Sequence, residues 1–159
     1  MLYADRLPEV AEAILLIGLA LAPLVLVAVR QSRPTQRPTG PGILYADRLV
    51  DITSEGIVLR HYYYPAGAKR VKFDEAEYIE ARKLTAWTGG WRIWGSGDFR
   101  TWWPADLNRP SRDTAFLLVR KGKWTRIAFT VEDPAAVREV LRSVGVLREG
   151  RISGMHNGT

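Results

Sequence analysis

The hydrophobic pattern changes twice along the chain, and each change marks a different kind of element. From Ala13 to Val29 the run carries no charge and no hydroxyl. Peptide groups in lipid need hydrogen bonds within their own segment, and a helix supplies them. At ~1.5 Å per residue the run reaches ~25 Å, and residues borrowed from Val10 to Glu12 or at Arg30 bring it near the ~30 Å hydrocarbon core of a bilayer. The pattern therefore predicts a transmembrane helix over about residues 11–30, with Ala13, Leu16, Gly18, Ala22, Pro23 and Val29 inside the membrane. A buried helix of a soluble core would show a polar face, and this run has none. A cleaved signal peptide fits poorly, because Asp5, Glu9 and Glu12 outnumber Arg6 where a secretory leader is positive. Pro23 is tolerated as a kink in lipid, and Gly18 with Ala22 forms a small-xxx-small pair that supports helix pairing.

Arg30, Arg33 and Arg37 follow the run, against one arginine before it. The excess of basic residues places this flank, and the domain after it, in the cytoplasm, with the N-terminus outside. Each arginine beside the bilayer can also hold anionic lipid, at about 1 kcal/mol apiece. Gln31 to Gly42 holds three prolines and two glycines and reads as an extended tether of up to ~35 Å. The hexapeptide LYADRL occurs twice, at Leu2–Leu7 and at Leu44–Leu49, which is too short for a structural repeat.

Beyond the tether the pattern takes the two-residue period of strands. Val50 to Ile52, Ile57 to Tyr64, Ala68 to Phe73 and Tyr78 to Leu84 read as strands, with turns at Ser54–Gly56 and Pro65–Gly67 and a helical turn in the acidic Asp74–Glu77. Trp91–Trp94 and Phe99–Trp103, separated by Gly95–Asp98, are predicted to form a hairpin. Ala105–Arg112 is a polar loop. Thr114–Val119 and Trp124–Phe129 form a second hairpin around Arg120–Lys123. The period then becomes helical: Asp133 is an N-cap with Pro134 behind it, Val137, Val140, Leu141 and Val144 share a face, and Gly145 ends the run. Residues 148–159 are polar and Gly-containing, with the composition of a disordered tail.

The predicted fold class is thus α+β: one N-terminal membrane helix, then a mostly antiparallel barrel of about seven strands capped by a C-terminal helix, with the domain at residues 43–147. The order of elements resembles the pleckstrin-homology (PH) superfold, and in particular the small bacterial PH-like domains attached to membrane helices. The resemblance is carried by Asp51-Ile52-Thr53-Ser54-Glu55-Gly56-Ile57-Val58-Leu59, by Arg70-Val71-Lys72-Phe73 with its acidic continuation, and by Phe129-Thr130-Val131-Glu132-Asp133-Pro134 leading into a helix. It implies a ligand-docking or oligomerising module and no enzyme. The first-loop pattern of phosphoinositide-binding members, Lys then Lys/Arg-x-Arg, is absent, since that loop is Thr53-Ser54-Glu55-Gly56.

Composition narrows the chemistry. The 159 residues carry a net charge of +6, so acidic partners are favoured. There is no cysteine, hence no disulfide, thiolate metal site or thiol nucleophile. The two histidines, His61 and His156, sit in no ligand or triad spacing, and no nucleophile elbow or phosphate loop is present. No cofactor, metal or nucleic acid is expected. Asp106, Asp113 and Glu132 could in principle form an acid pair, but nothing in their spacing requires it. The unusual stretch is Trp87–Trp103, with five of the six tryptophans and with Arg92 and Arg100. Most of these indoles suit a core. Trp102 and Trp103 are adjacent on a strand, so one should face outward. Trp91, Arg92, Trp94, Arg100, Trp102 and Trp103, joined by Lys121 and Lys123 at a hairpin tip, form the candidate interaction surface. Its expected partners are a protein or a second copy of the chain, or alternatively anionic lipid headgroups.

Overall fold

The computed structural model describes residues 7–32, 40–63, 67–85 and 90–148. Helix α1 runs from Leu7 to Ser32 with Pro23 inside it, so it takes up the first two residues assigned to the tether. Its segment Ala11–Val29 has a mean hydropathy of 2.6 and is long and apolar enough to cross a membrane. Leu15 and Leu19 are each 69 % exposed, and among the described side chains of α1 only Val27 is buried. A helix packed in a soluble core would hide such side chains. Arg33, Arg37 and Leu2–Arg6 of the first LYADRL copy lie outside the described residues, as does the Arg30 side chain.

Four strands follow: β1 (Ile43–Ala46), β2 (Val50–Thr53), β3 (Gly56–Tyr63) and β4 (Gly67–Lys72), an antiparallel meander in that order. Alternation behaves as read on β4, where Val71 is buried between exposed Arg70 and Lys72. Phe73 leaves the strand and opens a 3-10 turn, Phe73–Glu75, in the acidic connection. The second sheet holds β5 (Ala76–Lys83), β6 (Thr101–Trp102), β7 (Thr114–Arg120), β8 (Arg126–Phe129) and, after helix α2 (Pro134–Ser143), β9 (Leu147–Arg148). Its order is β6-β8-β7-β5-β9, with β6 and β9 added parallel at the edges.

Three expectations need correction. The sheets do not close into a barrel. Hydrogen bonding stops where the 3-10 turn separates β4 from β5, and the two sheets share a core instead of a seam. The hairpin expected over Trp91–Trp103 is absent. One bridge, Gly95 to Trp103, remains of it, and Thr101–Trp102 pairs with β8 instead. Arg148, assigned to the tail, belongs to β9, and its guanidinium sits over the Tyr78 ring at 4.7 Å.

The shared core draws Ile52, Ile57 and Leu59 from the first sheet, Ile79, Phe116, Ile127 and Phe129 from the second, and Val137 and Leu141 from α2. Phe116 and Phe129 stack at 5.6 Å. The Asp133 side chain caps α2 by accepting from the amides of Ala135 and Ala136, and the chain leaves the helix through Gly145 at φ 80°, a left-handed conformation that favours glycine.

The second LYADRL copy ties the two ends of the domain together. Buried Asp47 accepts from the amides of Leu49 and Val50, which makes the β1–β2 turn, and from the amide of Glu132 at 2.7 Å. The Tyr45 hydroxyl donates to Asp47 and accepts from the Asp133 amide, while Arg48 pairs with Glu132. Burial first, then the Asp47 charge, pushes the Tyr45 hydroxyl upward, so it remains protonated as that donor.

Candidate functional site

The sequence points to the stretch between β5 and β7, and the structure sorts its aromatic residues into an inner and an outer set. Trp103 is 5 % exposed and belongs to a second apolar cluster with Leu84, Ala115, Leu117 and Ala128. Trp102 is half-buried against the main core. The adjacent indoles do face opposite ways, but neither is the outward residue expected. The outer face of the second sheet is itself covered, here by the chain from Gly90 to Asp106. Trp103 is therefore removed from the candidate surface. Trp94 and Trp102 meet edge to face at 5.2 Å, and both indole N–H groups donate to the Tyr62 carbonyl, at 3.3 and 3.2 Å. Each indole thus has the partner that burial requires.

A buried arginine holds this covering segment in place. Arg109 is 1 % exposed, donates to the carbonyls of Arg92 and Pro104, and lies over the Trp103 ring at 4.7 Å. Burial pushes its guanidinium down to about 10. Asp106 opposes that shift, and the like charges of Arg112 and Arg92 add to it. Asp106, also buried, accepts from Arg112 at 2.6 Å, from the Thr130 hydroxyl at 2.6 Å and from the Asn108 amide. Its oxygens are occupied by structural donors. Glu132 is paired with Arg48. These acids brace the fold.

The outer set stands on loops that are internally braced. Trp91 is 76 %, Phe99 84 % and Trp124 70 % exposed, with Ile93 and Trp94 at about 40 %. Phe99 also sits at φ 54°, a left-handed conformation that costs a bulky residue roughly 1 kcal/mol or more. Asp98 enforces it. One carboxylate oxygen accepts from the amides of Arg100 and Thr101 and from the Ser96 hydroxyl, and the other accepts from the Thr101 hydroxyl. Burial alone would raise this carboxyl, but the hydrogen bonds outweigh it and hold it at about 2. The Arg126 amide donates to the Arg100 carbonyl, so the chain carrying Phe99 and Arg100 runs beside the one carrying Trp124.

Lys121 and Lys123 are exposed at the β7–β8 turn, three and one residues before Trp124 in the same loop. Arg100 is exposed and Arg92 half-buried. Trp87 lies outside the described residues. Sequence reasoning places Phe99 and Trp124 in strands and so misses them as loop residues on the surface. The neighbouring Gly-Ser-Gly-Asp and Lys-Gly-Lys segments are the signal that they sit at loop ends.

The tyrosine run also differs from simple alternation. His61 adopts φ 55° within a register shift between Leu59 and Tyr63, so His61 and Tyr62 are both buried and Tyr63 is exposed. Among the described residues no group of three or more His, Asp or Glu side chains gathers as a metal site. Comparisons of the chain with protein-family models, with curated proteins and with solved structures find no match.

Proposed function

We propose that the chain is a membrane-anchored, non-catalytic interaction module of PH-like design, with its domain on the cytoplasmic side, that docks a protein partner or a second copy of itself. The observation that carries this reading is the outer aromatic set. Phe99 is held in a strained conformation by four hydrogen bonds and is still 84 % exposed, so its placement contributes nothing to the core. Strain kept at an exposed aromatic residue suits a preorganised contact point. Aromatic and arginine side chains together are the composition of binding hot spots. The four-strand meander, the antiparallel strands β5, β7 and β8 at the centre of the five-stranded second sheet, and helix α2 after them support the PH-like description; the open sheet arrangement is looser than a barrel.

Chemical cross-linking of the full chain in its membrane tests the reading. A discrete adduct is expected, and it should disappear in the triple variant Trp91→Ser, Phe99→Ser, Trp124→Ser while the melting temperature holds. An adduct that persists in that variant contradicts it.

A second reading, contact with anionic headgroups, is favoured by Lys121, Lys123 and Arg100 lying beside Trp124 and Phe99. All six tryptophans follow the anchor in sequence, so lipids brominated along their chains report directly on the domain. Quenching in anionic nanodiscs that salt relieves favours this second reading; unchanged emission favours a protein partner.

A further inference from the structure

The outer face of the second sheet holds a cavity of about 340 Å³ beneath the covering segment. Its size falls in the range of small-molecule sites, ~300–1,000 Å³. The reason for the hollow is in the sequence. The outward positions of β7 and β8 include Ala115 and Ala128, two small side chains where bulky ones would meet Trp103 and fill the space. Leu84, Leu117 and Trp103 complete an apolar floor. The rim is basic: Arg82, Lys83, Arg92 and Arg126 line the cavity against a single carboxylate, Asp98. That carboxylate is committed to four neutral donors of its own loop. Arg82 bonds Glu80, which moderates its charge.

Arg92 reaches this position because residue 97 is glycine. A Cβ there would fall 2.1 to 2.5 Å from the Arg92 guanidinium, so the guanidinium lies directly on the Gly97 backbone. An apolar floor under a cationic rim matches one ligand class.

We propose that this cavity binds an anionic amphiphile, with a carboxylate or phosphate head on Arg92 and Arg126 and a short apolar segment over Trp103 and the two alanines. The cavity shares the Asp98 loop with Phe99 but none of the exposed rings lines it, so a loss of octanoate binding and a loss of the docking adduct are read on different side chains.

The test uses the full chain in nanodiscs of neutral phosphatidylcholine, titrated with octanoate and followed through the Trp103 indole N–H resonance. Octanol supplies the tail without the charge, and acetate the charge without the tail. Octanoate should give a saturable shift, with octanol and acetate weaker by about tenfold or more, the loss of a contact of about 1.4 kcal/mol. The pair Arg92→Gln, Arg126→Gln should weaken octanoate by at least a similar factor, and Lys72→Gln, exposed on β4 and outside the cavity, should leave it unchanged. Gly97→Ala should also weaken it, because only the flexible end of Arg92 has to move; this variant serves if the double one does not fold. In discs containing phosphatidylglycerol, reduced octanoate binding identifies a bilayer lipid as the natural source, and equal binding identifies a free amphiphile. Either result upholds the site. No saturable octanoate shift, equal binding of octanol, or full affinity in both Gly97→Ala and the arginine variant overturns it.

Discussion

The two faces of the second sheet use the same strands for different ends. The inner face presents Phe116, Leu118, Ile127 and Phe129 to the shared core, each at 1 % exposure or less. The outer face alternates with it and presents Ala115, Leu117 and Ala128 to Trp103 and a covering loop. One face is filled with large side chains, as a stable interior requires. The other is buried but hollow, with arginines around its rim. Burial alone therefore does not distinguish a core from a site. Side-chain volume and the charge at the edge do.

Substitutions that test this contrast run from large effects to small. Phe116→Ala removes a fully buried ring stacked on Phe129 and should cost about 3–5 kcal/mol, enough to unfold a marginal domain in a denaturant titration. Asp47→Ala leaves three backbone amides without their acceptor and should cost about 2–4 kcal/mol in the same titration. Ala128→Val adds volume on the hollow side, and its change in stability should stay below ~1 kcal/mol, because the added carbons enter existing space. An effect of Phe116→Ala size at position 128 would show that the outer face is packed as tightly as the inner one.

The loop carrying Phe99 separates stability from presentation. Phe99→Gly relieves the left-handed strain and should raise stability by up to ~1 kcal/mol in thermal melts, while abolishing any contact the ring makes. A fall in stability would mean that the ring packs on the domain. The smallest effect concerns pH. The Asp98 carboxyl sits at about 2 in the folded chain, below its ordinary 3.8. Its stabilising hydrogen bonds are then fully present above pH 3.8 and are lost as pH falls through about 2. The side-chain carboxyl resonance, followed by NMR, should titrate near 2; a midpoint at the ordinary value would remove the brace from the account.

Much of the architecture was legible because periodicity records which face of an element is covered. The strands at β2 to β5, the β7–β8 hairpin, and the capped helix between Asp133 and Gly145 follow from it directly. What the pattern does not record is what does the covering. The adjacent Trp102 and Trp103 required opposite faces, and they have them, but a loop without regular structure seals the second face. That loop is held by Arg109, a residue whose sequence context is Asn-Arg-Pro and gives no sign that its charge is buried. The duplicated LYADRL had no visible purpose in one dimension. In three, its second copy joins the first strand to the start of α2 through contacts spanning more than eighty residues of sequence. The positive φ at Phe99 is set by the hydrogen bonds of Asp98, and the one at His61 lies within the register shift of β3 against β4; the spacing of apolar positions records neither.

The most direct test of the contact surface is a photoreactive side chain placed at Phe99 in the full chain, expressed in intact cells, with a second variant carrying it at Glu139 on the exposed side of α2. The account expects a discrete covalent adduct from position 99, to a protein or to lipid, and none from position 139. Equal labelling at both positions, or none at either, would contradict it.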